Sequence, residues 1–328
     1  MSLQFTVTLE RWALREPFVI ARTTMVDVPL VHLALADADG HLGRAEAAGV
    51  DYDGETPESI ARAIAGAMPA VSADTTGEEL ARLLPPGGAR NAIDCALWDL
   101  RAKQRGVRAS EAAGLTEVRP VVTAFTIGLG SLADVRRKAA AASHYPLLKL
   151  KVSATAHVDL VRAVRDEAPH ARLIVDANEG WSMATLDRVA PELALEGVEL
   201  IEQPMARGED DELARYASPV ALCADESCTD RSSLPGVLGR YQAVNIKLDK
   251  TGGLTEALAL ARAAREAGLD VMVGNMCGTS LGMAPALLVA QHARWVDLDG
   301  PLLQTLDRES PMRFANGQVY PADPALWG

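Results

Sequence analysis

The sequence has few cysteines, and their spacing does not suit a metal site or a disulfide framework. The four are Cys95, Cys223, Cys228 and Cys277, and no two of them form a Cys-x-x-Cys pair. That spacing is typical of zinc sites and redox motifs, so we expect neither. Reduced thiols are the rule in reducing compartments, and we therefore expect a cytoplasmic protein.

The sequence also lacks a long apolar run and an excess of positive charge. No stretch approaches the roughly 18 apolar residues that indicate a membrane span. Charged residues (Glu10, Arg11, Arg15 and Glu16) stand where a secretory signal would be apolar. The formal net charge of −12 argues against nucleic acid and anionic membranes as partners. With 48% hydrophobic and 23% charged residues in a chain of 328, a packed core is expected.

Residues 1–118 are predicted to form an α+β capping domain, in which strands come first and helices follow. The alternation of apolar residues and the turn residues between them predict strands, and a helical repeat predicts a long helix. These ranges are 5–9, 28–36, 42–46 and 89–104. Residues 17–27 are predicted to form a flap, and Thr56 is predicted to cap a helix that begins at Pro57.

From residue 119 to about 309, short apolar runs alternate with amphipathic helical patterns. The runs recur roughly every 25 residues, which is typical of a strand-plus-helix repeat. The eight runs are 121–127, 147–152, 173–177, 199–204, 222–225, 243–248, 271–274 and 295–298. The pattern predicts a (β/α)8-type barrel of the modified TIM kind, with a doubly wound sheet as the alternative.

Three carboxylates close three consecutive predicted strands: Asp176, Glu202 and Asp225. Barrel enzymes place their chemistry at the carboxyl ends of the strands, so the three should converge. Carboxylates that close repel one another unless a cation lies between them. Oxygen ligands suit a hard ion, Mg²⁺ before Mn²⁺. The alternative is that each is a loop or helix-cap residue.

Two lysines are predicted to face each other across this metal site. Lys151 ends the second barrel strand and Lys247 ends the sixth, which lies opposite it in an eight-stranded barrel. Lys149 points the same way as Lys151, because residues two apart on a strand share a face. We expect proton transfer on both faces of one carbon, with lysine pKa values lowered by the nearby cations. The alternative is a pair of structural salt bridges.

The last predicted strand is followed by Asp297-Leu298-Asp299. The same parity places both carboxylates on one face, away from the metal ligands. They would suit a cationic group of a substrate, such as an ammonium, although an Asp-x-Asp pattern alone is a weak signal.

These motifs resemble those of the enolase superfamily, and within it the dipeptide epimerases related to L-Ala-D/L-Glu epimerase. The matching stretches are 149–151, 176–178, 202–204, 224–227, 245–253 and 297–300, with 89–100 in the capping domain. Enolase-superfamily sites use a Lys or His base with Mg²⁺.

The resemblance implies a Mg²⁺-dependent isomerase that inverts the α-carbon of the C-terminal residue in L-Ala-Xaa dipeptides. One of Lys151 and Lys247 would remove the α-proton, and the other would return a proton to the opposite face of an enolate. It also implies that Thr126 lies near the substrate with Lys149, and that Asn178 and Asp249 support the site. Capping loops at about 17–27 and 49–56 would close the barrel mouth, and the tail at about 310–328 would return to the capping domain.

The capping loops depart from this family's pattern. Met25 stands where relatives that act on Ala-Glu often carry an arginine, with Arg22 nearby, and the second loop carries Asp51 and Asp53. Because Met25 offers no charge and the aspartates would repel a carboxylate, we expect apolar or cationic side chains to be preferred over glutamate.

Four alternatives stay open. The first is L-Ala-D/L-Glu epimerase proper, with Arg22 in the place of the missing arginine. The second is chemistry of the o-succinylbenzoate synthase or N-acylamino acid racemase type, whose substrates lack the ammonium that Asp297 and Asp299 would bind. The third is a non-catalytic barrel, and the fourth concerns assembly, since a homo-oligomer is compatible with the sequence.

Overall fold

The computed structural model describes residues 3–19, 24–153 and 158–328. Its strands β1 to β14 are, in chain order, Gln4–Val19, Thr24–Ala36, Leu42–Ala47, Val121–Val122, Phe125–Ile127, Leu147–Lys151, Arg172–Asp176, Val198–Glu202, Ala221–Ala224, Ala243–Ile246, Asp270–Val273, Trp295–Val296, Phe314–Ala315 and Gln318–Val319. Its helices α1 to α12 are Pro57–Ala67, Gly77–Leu83, Gly88–Arg105, Ala109–Ala112, Leu132–Ala142, Val158–Glu167, Met183–Leu195, Leu234–Val237, Leu248–Thr251, Leu254–Glu266, Ser280–Ala290 and Gly300–Leu303. Short 3-10 helices span Asp51–Asp53, Met68–Ala70 and Asp211–Arg215. None of the helices in these ranges is long and apolar enough to cross a membrane.

The N-terminal part is an antiparallel sheet, β1-β2-β3, covered by helices. On β2, Val31, Leu33 and Leu35 are fully buried at alternate positions and share an apolar core with α3, because side chains two apart on a strand share a face. The predicted long helix is confirmed as α3, and Thr56 caps α1 as predicted.

The described parts of the predicted flap at 17–27 lie on two paired strands, and residues 20–23 at its centre lie outside the described residues. Strand β1 continues to Val19 and β2 begins at Thr24, and Phe18 pairs with Met25. Met25 therefore lies on a strand, where it is half-buried against the apolar cluster of Leu14, Phe18, Val28 and Leu30. Arg22 lies outside the described residues.

The barrel prediction is confirmed. Strands β5 to β12 form one parallel sheet in chain order. The amide of Ala124 donates to the carbonyl of Val296 at 2.7 Å, which joins the two ends of the curled sheet. Two predicted details are wrong: residues 121–122 form β4, which pairs with β14 in a separate sheet, and only the 3-10 helix Asp211–Arg215 stands between β8 and β9.

Each barrel strand sends one apolar side chain into the interior, and these side chains pack into a layer. Its members are Ala124, immediately before β5, and Leu147, Ile174, Leu200, Cys223, Ala243, Met272 and Trp295. All are fully buried. The next side chain on the same face of each strand stands two residues later. The apolar layer therefore forms a floor, and the side chains at those later positions form a second layer above it.

The helices of the N-terminal part lie on the barrel through buried polar contacts. The carboxylate of Asp94 on α3 accepts hydrogen bonds from the amide and hydroxyl of Thr255 at 2.8 and 2.6 Å. At the C-terminus, Trp327 donates from its indole to the carbonyl of Cys95, and the amide of Gly328 donates to Asp99. These contacts connect α3 both to the barrel and to the end of the chain.

Candidate active site

The layer above the apolar floor is polar on seven of its eight strands. Two residues beyond each floor residue stand Thr126, Lys149, Asp176, Glu202, Asp225, Asn245, Gly274 and Asp297. All eight are buried. A Cβ at Gly274 would come within 2.8 Å of the Asn245 Oδ1 atom, which explains the one apolar position. Four buried carboxylates and one lysine make this layer acidic, and buried charge requires nearby counter-charge.

The two predicted bases lie one step above this layer, on opposite sides of the barrel. Lys151 ends β6, the second strand of the sheet, and Lys247 follows β10, the sixth. The backbone of Lys247 is still extended (φ −123°, ψ 134°), so its side chain keeps the inward direction of the strand. Lys151 Nζ lies 2.7 Å from Asp176 Oδ2, and Lys247 Nζ lies 2.7 Å from Asp225 Oδ2.

Two of the three predicted metal ligands, Asp176 and Glu202, share a lysine, and the three carboxylates do not all approach to within 4.8 Å of one another in the described structure. Asp176 and Glu202 are paired across β7 and β8. Lys149 Nζ lies between them, 3.1 Å from Asp176 Oδ2 and 2.8 Å from Glu202 Oε2. Glu202 Oε1 accepts a hydrogen bond from Asn245 at 2.8 Å. The third carboxylate, Asp225, directly follows β9 and contacts Lys247 and Lys250.

The electrostatics of the three carboxylates are unequal. Burial and the neighbouring charge of Asp176 raise the pKa of Glu202 to about 7. Burial alone would also raise the pKa of Asp176 and Asp225, but the lysine ammonium groups outweigh it and hold both pKa values well below the usual range. The lysines thus neutralise two carboxylates and leave Glu202 only partly compensated. A further cation would remove that penalty.

The donor set fits a hard divalent cation. Glu202 Oε2 and Asp225 Oδ1 are buried and have no well-aligned hydrogen-bond donor among the described residues. Their close neighbours are ammonium groups, Lys149 at 2.8 Å and Lys250 at 2.6 Å. A ligand set that consists of carboxylate oxygens suits a hard ion such as Mg²⁺ or Mn²⁺.

A second group of ligand-type side chains lies in the turn between β2 and β3. Asp37, Asp39 and His41 approach one another there. Asp37 Oδ1 accepts from the amides of both neighbours, and its Oδ2 lies 2.8 Å from His41 Nδ1. These contacts hold the turn, and none of the three is buried.

The expected lowering of the lysine pKa values is not what the residues of the site produce. Burial and Lys149 both act to lower the pKa of Lys247, as predicted, but the charges of Asp225 and Glu202 outweigh them and raise it. In the same way the pKa of Lys149 is raised, against its burial, by Asp297, Glu202 and Asp176. The prediction assigned the lowering to a bound Mg²⁺ as well as to Lys149, so a lowered pKa of the two bases stays a prediction for the metal-bound site.

Asp297 and Asp299 meet at Thr126, on the strand that follows around the barrel. Asp297 accepts from Lys149 Nζ at 2.8 Å and from the Thr126 hydroxyl at 3.2 Å, while Asp299 accepts from the Thr126 amide at 2.6 Å. Burial and the charge of Asp297 raise the pKa of Asp299 to about 8. Strand parity is not the reason for their proximity, because β12 ends at Val296 and Asp299 is the N-cap residue before α12.

The predicted supporting residues contact the site directly or contact the second capping loop, residues 49–56, which we call the capping segment. Asn178 accepts from Lys151 Nζ at 3.0 Å. Asp249, two residues after Lys247, accepts from the amide of Gly49 at 2.9 Å and from the Asn91 side chain at 3.2 Å. Burial raises the pKa of Asp249 to about 7. Asp249 therefore links the base of the capping segment to the element that carries Lys247.

The two acidic residues of the capping segment differ in their surroundings. Both lie in the 3-10 helix Asp51–Asp53, and both are exposed. Asp53 forms an ion pair with Arg207, with Nη2 2.5 Å from Oδ1. The expected repulsion of a carboxylate by Asp53 is therefore wrong in part, because a guanidinium already neutralises it.

Sequence reasoning missed several residues that shape the site. Lys250 is buried and contacts Asp225, and Gln203 accepts from the Asp225 amide at 2.8 Å and so fixes the loop after β9. Arg207 was also missed. Lys250 and Gln203 lie inside the motifs quoted above, but neither falls at an inward strand position, which was the signal that found the others.

Comparisons with known proteins agree with this geometry. Residues 132–325 match the family "Enolase C-terminal domain-like", and residues 2–114 match "Mandelate racemase / muconate lactonizing enzyme, N-terminal domain". The chain is 46% identical over 250 residues to an N-acetyl-D-glutamate racemase of Pseudoalteromonas sp, covering 76% of this chain and 79% of that protein. It is 39% identical over 313 residues to the L-Ala-D/L-Glu epimerase of Escherichia coli K12, covering 95% and 97%.

A solved structure is similar over almost the whole chain. It is an enolase family member from Agrobacterium tumefaciens with homology to dipeptide epimerases, with bound sodium and L-Ala-L-Glu. The two chains superpose with a TM-score of 0.96 at 44% identity, covering 99% of this chain and 100% of that one. On these matches, and on the barrel with its polar inner layers, the chain is an isomerase that belongs to the enolase superfamily, in the group that contains the L-Ala-D/L-Glu and other dipeptide epimerases.

Proposed function

We propose that the protein is a dipeptide epimerase that inverts the α-carbon of the C-terminal residue of L-Ala-Xaa dipeptides by a two-base transfer between Lys151 and Lys247. The observation that carries this proposal is the symmetry of the two lysines about the carboxylates. Each ammonium group lies 2.7 Å from a different carboxylate, on strands two and six of the eight. An α-carbon held between them would meet one lysine on each face, which is what inversion requires.

Asp176, Glu202 and Asp225 would hold Mg²⁺, with Mn²⁺ as an alternative. When bound, that cation supplies Lewis-acid stabilisation of the negative charge that develops on the substrate carboxylate as the α-proton leaves. Burial and the charge of Asp176 raise the pKa of Glu202, and the charges of Asp225 and Glu202 raise the pKa of Lys247. Neutralising these carboxylates would lower the pKa of Lys247 towards the range in which it can act as a base.

The remaining residues hold the lysines in place. Asp176 and Asn178 fix the ammonium group of Lys151 from two sides, and Asp225 fixes that of Lys247. The lysine that faces the α-hydrogen takes the proton, and the other delivers one to the opposite face. Lys149 contacts three carboxylates, and we assign it the charge balance of the site.

Asp297 and Asp299 would bind the ammonium group of the dipeptide, next to Thr126. Both are buried, so an ammonium that reaches them replaces its water with charged hydrogen bonds. The raised pKa of Asp299 supports this role, because an arriving cation favours the ionised carboxylate that it binds.

We propose glutamate as the epimerised residue, which makes L-Ala-D/L-Glu the substrate pair. The relatives named above support glutamate, and the Asp53–Arg207 pair removes part of the charge argument against it. The expected preference for apolar or cationic side chains stays a prediction that these observations weigh against.

The racemisation of N-acylated glutamate is the second candidate, and it is favoured by one observation, the 46% identity to an N-acetyl-D-glutamate racemase. That substrate class lacks the ammonium that would make use of Asp297 and Asp299. No observation favours o-succinylbenzoate synthesis. A cytoplasmic location and a homo-oligomeric assembly remain part of the proposal, and the free state of the four cysteines supports the location.

The test is a direct comparison of substrates in deuterated water with Mg²⁺. L-Ala-L-Glu, L-Ala-D-Glu, L-Ala-L-Leu and N-acetyl-D-glutamate are each followed by proton NMR for loss of the α-proton signal and by chiral chromatography for inversion. We expect the two Ala-Glu epimers to interconvert with the highest kcat/KM. If N-acetyl-D-glutamate is turned over at least tenfold more efficiently than L-Ala-D-Glu, the second candidate replaces the first.

A further inference from the structure

A substrate side chain that carries a carboxylate needs its own cation, and the bases of the site are already engaged. Burial of a carboxylate is costly unless donors or opposite charge compensate it. Four buried lysines lie at the barrel mouth in the described part of the chain, each in contact with one or more of the site carboxylates. They are Lys149, Lys151, Lys247 and Lys250. Arg207, on the loop that follows β8, forms no ion pair with those carboxylates in the described part of the chain.

Arg207 lies on the loop after β8 and is connected to the side of the site that carries Lys151. Its amide donates to Glu179 Oε1 at 2.7 Å. Glu179 directly follows Asn178, which accepts from Lys151 Nζ at 3.0 Å. The backbone of Arg207 is therefore connected through Glu179 to Asn178, which contacts the proposed base Lys151.

Among the described residues, the guanidinium of Arg207 forms an ion pair with the side-chain carboxylate of Asp53, and the charge of Glu179 also acts on it. Nη2 lies 2.5 Å from Oδ1 and Nη1 lies 3.4 Å from Oδ2, and the side chains are 45% and 35% exposed. Asp53 belongs to a short segment between two glycines with left-handed backbones, Gly49 (φ 80°) and Gly54 (φ 84°). Because glycine adopts such angles without strain, these are the points at which the chain turns into and out of the segment.

We propose that Arg207 binds the side-chain carboxylate of the substrate, and that Asp53 occupies this place until the substrate arrives. The inference rests on the proposed function and names its specificity residue. A guanidinium pairs with a carboxylate through two parallel hydrogen bonds, and the carboxylate of glutamate is the same group as that of Asp53. When the carboxylate of the substrate replaces that of Asp53, the guanidinium of Arg207 is paired both before and after the substrate binds.

Replacement of Asp53 by the substrate carboxylate explains two features of the sequence. Each of them, taken by itself, argues against glutamate as the epimerised residue. Met25 provides no charge in the first capping strand, and the segment of Asp51 and Asp53 is acidic. With Arg207 as the cation, Met25 need not carry one. Asp53 then competes with the substrate, which sets how tightly glutamate is held.

A different role for the same ion pair would be to hold the capping segment against the barrel. The two roles make opposite predictions for Asp53. If the pair only holds the segment, Asp53→Asn and Arg207→Gln both weaken every substrate. If Asp53 is a competitor, its removal frees Arg207 and favours the glutamate dipeptide, whereas removal of Arg207 disfavours it.

The experiment measures kcat/KM for L-Ala-L-Glu and L-Ala-L-Leu with the wild type, Arg207→Gln, Arg207→Lys and Asp53→Asn. Arg136→Gln is the matched control, because Arg136 is 44% exposed and pairs with Asp166 and Glu167 on the outer helices. We expect the Glu/Leu ratio to fall at least tenfold in Arg207→Gln. The fall should be smaller in Arg207→Lys, and the ratio should rise about threefold in Asp53→Asn, while Arg136→Gln leaves it unchanged.

Two results would overturn the inference while leaving the proposed function intact: an unchanged ratio in Arg207→Gln, or equal losses on both dipeptides in Asp53→Asn and Arg207→Gln. A wild type that epimerises neither dipeptide would instead overturn the proposed function itself, and this inference with it. Circular dichroism of each variant separates loss of folding from loss of specificity.

Discussion

Lys247 Nζ and Asp225 Oδ2 lie 2.7 Å apart, and this contact joins the proposed base to a proposed metal ligand. The pair explains why the pKa of Lys247 is raised although burial acts to lower it. In our proposal, Lys247 can therefore act as a base only when the charge of Asp225 is taken up elsewhere. In this arrangement the metal site and the proton-transfer site depend on each other, and the first prediction follows from that dependence.

Replacing a carboxylate of the metal site should abolish both catalysis and stabilisation by the metal. Asp176→Asn, Glu202→Gln and Asp225→Asn each remove a charged oxygen ligand. For the wild type, Mg²⁺ at 100 times its Kd should add about 2.7 kcal/mol to the free energy of unfolding, measured by thermal or urea unfolding with and without chelator. The variants should gain far less.

Glu202→Gln offers an internal control for that prediction. Because burial raises the pKa of Glu202, its ionised form destabilises the folded chain, and the variant removes this penalty. In chelator at pH 8, Glu202→Gln should be at least as stable as the wild type. Equal Mg²⁺ stabilisation in the wild type and all three variants would contradict the ligand assignment.

Asp299 predicts a pH profile that is specific to substrates with an ammonium group. Its pKa of about 8, raised by burial and by Asp297, means that it is largely protonated at pH 6 and binds a cation weakly there. As pH rises through 8 it ionises and binding strengthens, while the amino group of the dipeptide loses its own proton near a pKa of about 7.7–8.0. The kcat/KM for L-Ala-L-Glu should therefore peak near pH 8.

Asp299→Asn should lower kcat/KM and remove the rising limb of that profile while leaving the falling limb. The comparison is made between pH 5.5 and 9.5 at saturating Mg²⁺. A rising limb that persists unchanged in Asp299→Asn would assign it to another group and argue against binding of the ammonium by Asp299.

Asp249 should make the folded chain less stable as pH rises. An aspartate in a salt bridge has the opposite effect, because its folded pKa is lowered. Burial raises the folded pKa of Asp249 to about 7 from an ordinary value of 3.8. Between these values the folded chain binds more protons than the unfolded chain, so the contribution of Asp249 to stability falls as pH rises. Asn keeps the acceptor for the Gly49 amide but cannot ionise.

Relative to the wild type, the free energy of unfolding of Asp249→Asn should therefore increase between pH 5 and 8 by at most about 2.6 kcal/mol, because about two pKa units of the shift are traversed between these pH values. Urea unfolding at both pH values in chelator measures this difference. Asp51→Asn is the control, since Asp51 is exposed in the same region. A difference between wild type and Asp249→Asn that does not change with pH would show that Asp249 is ionised in the folded chain.

Much of the site could be predicted because it depends on strand periodicity. Lys149, Lys151, Asp176 and Glu202 lie on regular strands, where parity alone assigns their direction. The eight-strand repeat is equally local, since each unit is recognised by its own apolar run. For the same reason the floor and the polar layer stand two residues apart on every strand.

The rest depends on contacts between distant segments, which periodicity does not encode. Nothing local indicates that Arg207 meets Asp53, or that Asp249 meets Gly49, because 154 and 200 residues separate these partners. The continuation of β1 to Val19 was missed because Pro17 and charged residues interrupt its alternation. The raised pKa of Lys247 could not be predicted from its own strand, because it is caused by the charges of Asp225 and Glu202 on other strands.

The most direct test of the central claim is α-proton exchange catalysed by single-lysine variants. Lys151→Ala and Lys247→Ala are each incubated with L-Ala-L-Glu and with L-Ala-D-Glu in deuterated water with Mg²⁺, and deuterium incorporation and inversion are followed by NMR and chiral chromatography. Inversion should fall by about 10²- to 10⁴-fold in both variants. Residual exchange without inversion should be confined to one epimer in Lys151→Ala and to the other in Lys247→Ala. Inversion at the wild-type rate in either variant, or exchange of the same epimer in both, would contradict the two-base account.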